Sequence, residues 1–109
     1  MNRSRLEQLH HFLKSNPEDP FLHHAIALEY VKESDFQQAK NYFLQALEID
    51  EMYIGSYYHL GKLYETLEEW TQALDTYTRG MEVAKKINDR KTYSELAMAY
   101  EILEDSLDY

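Results

Sequence analysis

Apolar residues return at steps of three and four along the chain, as in Leu6, Leu9 and Leu13, or Ala39, Phe43, Ala46 and Leu47. That spacing gathers them on one stripe of an α-helix. Punctuation then separates the stripes. Pro17 and Pro20 end the first helical segment after about Ser15, because the residue before a proline is pushed out of the helical region. Asp19 followed by Pro20 is a good start, a carboxylate cap ahead of a residue with no amide to satisfy. Ser34 with Gln37 reads as a capping box between "FLHHAIALEYVKE" and "DFQQAKNYFLQALEID". "TLEEW" makes a weaker break and "KKINDRK" another. The pattern predicts six helices, near residues 3–15, 20–32, 36–50, 54–67, 70–87 and 90–106. Only three glycines and two prolines occur in 109 residues. A many-stranded sheet needs turn residues more often than that.

Shifted by 34 positions, the chain falls on itself. Tyr30 meets Tyr64, Phe36 meets Trp70, Ala39 meets Ala73 and Phe43 meets Tyr77, while Ile26 and Ala27 meet Leu60 and Gly61. A repeat of this length signals stacked helical units. It also accounts for Gly61, which costs a helix about 1 kcal/mol against alanine. The equivalent positions hold Ala27 and Ala97, so a small residue is needed where two helices lie close.

These residues resemble the tetratricopeptide repeat: an aromatic, then Leu-Gly, then Tyr, then Ala-x-x-x-Phe. Tyr57, Leu60, Gly61, Tyr64, Ala73 and Tyr77 match in order, with Gly80 as the later small residue. The preceding unit matches with Ile26, Ala27, Tyr30, Ala39, Phe43 and Ala46, although His23 replaces the first aromatic. Tyr93, Leu96, Ala97 and Tyr100 restart the pattern after two extra residues around "KKINDR". Ser34 and Glu68 stand where the family prefers glycine, Glu51 and Lys85 where it prefers proline, and Phe12 where it prefers a small residue. The resemblance implies one all-α domain over residues 1–109, a right-handed helical-hairpin solenoid of about six antiparallel helices. Residues 1–16 form an amino-terminal cap, 20–53 and 54–87 two repeats, and 90–109 the first helix of a third unit that serves as carboxy-terminal cap.

In the family, the first helix of each pair lines a concave binding groove. Tyr57, Leu60, Gly61 and Tyr64 share the packing face of their helix, which leaves Tyr58, Lys62 and Glu65 on the opposite side. The same offsets select Phe21, His24, Leu28 and Val31 in the first repeat, and Lys91, Met98 and Ile102 in the last unit. Tyr58 is the expected central anchor, a large rigid contact with a hydroxyl. Apolar anchors beside a few charges suit a segment of another protein. The carboxylate clamp of the family's co-chaperones needs lysine, asparagine, asparagine, lysine and arginine. The matching positions hold His24, Leu28, His59, Lys91 and Glu95, so a chaperone carboxy terminus is not the expected partner.

Composition narrows the remaining functions. A net charge of -9 leaves nucleic acid and anionic membrane as poor partners. There is no cysteine, so disulfides and thiolate chemistry are excluded. No apolar stretch reaches signal-peptide or membrane-span length, and the expected compartment is the cytoplasm. His10/His11 and His23/His24 are adjacent pairs that splay apart on a helix, and no metal site or cofactor is expected. No phosphate loop, H-E-x-x-H or G-x-S-x-G occurs, so no catalytic residues are assigned and an enzyme is not expected. After Lys91 come Glu95, Glu101, Glu104, Asp105 and Asp108 and no base. Leu96, Tyr100, Leu103 and Leu107 line the other side of that helix, which reads as a solvated cap. The expected function is a non-catalytic adaptor that binds a peptide or protein segment. The alternative is self-association, as a homodimer, through the end helices.

Overall fold

A computed structural model describes residues 2–107, with side chains from Arg5 to Leu107. Among the described residues there are six helices and no strand: α1 (Asn2–Ser15), α2 (Pro20–Lys32), α3 (Phe36–Ile49), α4 (Gly55–Thr66), α5 (Trp70–Lys86) and α6 (Arg90–Leu107). Each lies within about a residue of its predicted span, and Asp108 of the acidic tail falls outside the described residues. No described helix is long and apolar enough to cross a membrane.

Three of the five joints share one construction. Ser34, Glu68 and Asn88 each have φ of 59°, the left-handed conformation that ends a helix. At each, the residue's own N–H donates three residues back: Ser34 to Val31, Glu68 to Glu65, Asn88 to Lys85. The next N–H reaches five back, from Asp35 to Tyr30, Glu69 to Tyr64 and Asp89 to Ala84, each at 2.9 Å. This is the Schellman pair, and it satisfies the last carbonyls of the outgoing helix. The acidic residue after the left-handed position is already the N-cap of the next helix.

The geometry corrects the capping box. Ser34 is the left-handed stop, and the cap of α3 is Asp35, whose carboxylate accepts from the N–H of Gln38. Asp19 caps α2 as expected, accepting from the N–H of Phe21 at 2.9 Å. The extra residues around "KKINDR" entered a helix rather than a joint: α5 has 17 residues where α3 has 14.

Contacts divide the chain at Ser56/Tyr57 into two compact units. In the first, Leu9 of α1 joins Leu22, Ala25 and Ile26 of α2, with Leu6, Leu13, Tyr30 and Tyr42 around them. Phe12 stays exposed, as a residue on the outer side of a capping helix can. Packed α2 and α3 bury Ala27, Ala39, Phe43 and Ala46 completely. In the second unit the buried set includes Tyr57, Leu60, Leu63, Ala73, Tyr77, Leu96 and Leu103. Truncating a fully buried ring such as Phe43 or Tyr77 to alanine costs about 3–5 kcal/mol. A Cβ built on Gly61 would lie 2.7 Å from both Cδ1 and Cζ of Tyr77. Gly80 is similar, since a Cβ there would stand 2.7 Å from Cβ of Tyr57. At both glycines a neighbouring helix lies too close for a side chain.

Candidate functional site

In the second unit, α4 turns Tyr58, Lys62 and Glu65 toward Glu95, Met98 and Ile102 of α6, around a shallow cavity of ≈ 350 Å³. The spacing on each helix explains this. Positions 58, 62 and 65, and 95, 98 and 102, are steps of three and four, so each set forms one stripe. Met98 and Ile102 are 63% and 65% exposed, large for apolar side chains on the surface of a 109-residue chain. Tyr58 is half-buried, and Lys62 is exposed. Lys91 is exposed on α6, and the cavity lining lies further along that helix.

Glu65 has an inward duty that the sequence did not disclose. Its carboxylate accepts a hydrogen bond from the buried Tyr77 hydroxyl at 2.5 Å, and Lys62 Nζ stands 3.8 Å from the same oxygen. Burial, then the bond to Glu65, pushes the Tyr77 hydroxyl pKa far above its usual value. One face of Glu65 thus belongs to the cavity while its charge is committed to the fold. A tyrosine where the preceding repeat has Phe43 was the available signal, because a buried phenol needs a partner.

The four first-unit candidates lie on α2. Phe21 and Val31 are exposed and Leu28 is half-buried. His24 is engaged in packing: its Nδ1 is 2.8 Å from the Ser56 hydroxyl, and its ring lies 5.6 Å from Phe43 and 5.4 Å from Tyr53. Other histidines are also used structurally. His23 Nε2 donates to the Pro17 carbonyl at 2.9 Å, and His10 Nε2 lies 3.4 Å from the Tyr30 hydroxyl. Among the described residues no three His, Asp or Glu side chains gather as a metal set.

Glu29 is another residue that sequence reasoning passed over. It is only 3% exposed and binds Arg5 Nε at 3.2 Å and Lys32 Nζ at 3.1 Å. A carboxylate inside the apolar run "HHAIALEYV" was the signal, since buried charge needs counter-charge. Its effect is to tie α1 to α2. A larger hollow of ≈ 490 Å³ lies at the α5–α6 joint, lined by Lys85, Asn88, Asp89, Arg90, Tyr93 and Ser94. There the start of α6 is closed by its own cap, Asp89, which accepts from the N–H and hydroxyl of Thr92 at 3.0 and 2.7 Å. Those two bonds hold the Asp89 carboxyl below its usual pKa.

Comparison with known proteins places this geometry. Residues 22–51 and residues 56–91 each match a family model described as a tetratricopeptide repeat. A search of the curated proteins finds no match. Among solved structures, the tetratricopeptide repeat domain protein from Salinibacter ruber is 44% identical, over 82% of this chain and 90% of its own, with a TM-score of 0.78. The TPR2B domain of yeast Sti1, solved as a complex with pHsp70, is 19% identical over 93% of this chain and 81% of its own, at a TM-score of 0.86. The type III secretion translocator chaperone SycD of Yersinia enterocolitica reaches a TM-score of 0.90 at 8% identity, over 99% and 75% of the two chains. The last two show the fold alone. From the Salinibacter relative and the two family matches, the chain belongs to the tetratricopeptide-repeat family.

Proposed function

We propose that this chain is a non-catalytic cytoplasmic adaptor that binds a segment of another protein, with Tyr58, Lys62 and Met98 among the contacts. Tetratricopeptide-repeat domains are in general protein-interaction modules, and the fold is in general non-catalytic. The observation that carries the reading is the cavity of the second unit, with Met98 and Ile102 exposed beside Tyr58. Apolar side chains left facing water at a concave site are the usual mark of a docking surface. On the first unit taken by itself, Phe21, Leu28 and Val31 of α2 are the proposed contacts, and on the second Lys91 is a flanking charge. Binding of a chaperone segment, as in the Sti1 complex with pHsp70, is not part of the proposal. The positions that match the family's carboxylate clamp hold His24, Leu28, His59, Lys91 and Glu95, and Glu95 repels a carboxylate where arginine would grip it.

Photo-crosslinking tests the reading. A crosslinking side chain placed at Tyr58 or Met98 is expected to capture a partner, whereas one at the exposed Thr78 of α5 captures none. Tyr58→Ala is expected to weaken capture and to leave Tm within about 4 °C, under roughly 1 kcal/mol. Equal capture from Thr78, or a strong loss of Tm, overturns the assignment of faces. A second copy of the chain as the captured species selects the self-association alternative.

A further inference from the structure

Three charged groups border the cavity of the second unit: Lys62, Glu65 and Glu95. Two of them cancel. Lys62 faces Glu65 at 3.8 Å, and Glu65 also holds the Tyr77 hydroxyl. Glu95 is exposed, and no ion pair or hydrogen bond to its side chain occurs among the described residues. The uncompensated charge at the rim is therefore negative. It stands one turn before Met98 and two turns before Ile102, on the same stripe of α6. Arg90 and Lys91 open α6, but beyond Glu95 the helix's charged residues are all acids, Glu101, Glu104 and Asp105, and the whole chain carries -9. An acidic partner is repelled both at a distance and at contact, while a basic one is drawn in.

We propose that this cavity takes a protein segment with a large apolar side chain flanked by arginine or lysine. The apolar group seats against Met98, Ile102 and Tyr58, and the base pairs with Glu95. The inference rests on the reading that this face binds a protein segment, and it adds the chemical class of that segment. A volume of ≈ 350 Å³ sits near the low end for ligand pockets, roughly 300–1,000 Å³, which suits one or two side chains. Lys62 does not recruit an acidic segment, because its charge is already met by Glu65. Arginine is the better base here, since its planar fork matches a carboxylate with two parallel bonds.

The test uses three labelled peptides that share one Leu-x-x-x-Leu core and differ only in the flanking residues: arginine, glutamine or glutamate. Fluorescence anisotropy at fixed ionic strength is expected to rank them in that order, with arginine about tenfold tighter than glutamine. Glu95→Lys, at an exposed position that leaves the helical circular dichroism unchanged, reverses the order of the arginine and glutamate peptides. Tyr58→Ala weakens all three. Equal binding of the three peptides, each weakened by Tyr58→Ala, overturns the charge inference and leaves the docking face standing. An arginine preference that survives Glu95→Lys assigns it to the diffuse charge of the chain and overturns the inference likewise. Binding indifferent to both variants overturns the face as well. Absence of binding by every peptide overturns the proposed class, with the docking face then judged by crosslinking alone.

Discussion

The two units solve the same helix-pair contact with different residues at equivalent positions. The first has Ala27, Val31 and Phe43, where the second has Gly61, Glu65 and Tyr77. Both rings are fully buried. Phe43 carries no polar atom and asks nothing of position 31, which holds an exposed valine. Tyr77 adds a hydroxyl, a buried hydroxyl must be bonded, and Glu65 supplies the acceptor. The same ring lies so close on α4 that a single Cβ at position 61 collides with it. One oxygen on α5 therefore coincides with two changes on α4. The repeat holds the shape of a contact constant, not its chemistry, and a position that is free for binding in one unit is drawn into the fold in the other.

The sharpest way to break this comparison is at the small residue. Gly61→Leu is expected to cost about 3 kcal/mol in urea unfolding, because the side chain has no space beside Tyr77. Gly61→Ala is expected to destabilise as well, against the gain of roughly 1 kcal/mol that helix propensity alone gives. Ala27→Gly should cost only about 1 kcal/mol, the propensity difference with its sign restored. A gain in stability from Gly61→Ala removes the close-contact argument.

Next in size is the hydroxyl. Tyr77→Phe is expected to cost about 1.5 kcal/mol, a hydrogen bond to a charged acceptor. Glu65→Val in that background restores two of the first unit's three residues and recovers part of the loss. A double-mutant cycle that gives no coupling between positions 65 and 77 would falsify the pairing. The pH dependence has a definite sign. The folded Tyr77 keeps its proton where the unfolded phenol loses it, so its contribution is complete below about pH 10 and falls as pH rises beyond that. Burial shifts Tyr30, Tyr53 and Tyr64 the same way. Tyr77→Phe is therefore expected to flatten, not abolish, the alkaline fall in Tm.

The smallest effects lie at the joints. Glu68→Gly and Ser34→Gly are each expected to stabilise by up to about 1 kcal/mol, the left-handed strain less the added freedom of the unfolded chain. Asn88→Gly should gain least, because asparagine tolerates that conformation. Unequal gains at Ser34 and Glu68 in thermal melts show that the two joints are not energetically equivalent.

Helix number, order and limits were legible because they rest on local chemistry: Asp19 with Pro20, the three-and-four spacing, the 34-residue echo. The capping error at Ser34 arose because "SDFQQ" offers two capping patterns one residue apart, Ser34 with Gln37 and Asp35 with Gln38. Only the backbone angle decides between them. The stripe of Tyr58, Lys62 and Glu65 was readable from helix geometry, as was that of Met98 and Ile102. The inward commitments of His24, Glu29 and Glu65 were not, since each depends on a partner between 12 and 32 residues away in sequence. Spacing says which side of a helix a residue occupies, and not what waits there.

The three joints that merge a helix stop with the next helix's cap contain no spare residue. Adding or removing one there breaks the pair of hydrogen bonds that closes the outgoing helix, or displaces the acid that caps the next one. Length variation and inserted tags are therefore excluded at residues 33–35, 67–69 and 87–89. They are admitted at residues 16–19 and 50–54, where the backbone turns without a left-handed residue. What decides where the molecule can be lengthened is the left-handed stop in a joint, whether that joint closes a pair, as at Ser34 and Glu68, or links one repeat to the next, as at Asn88.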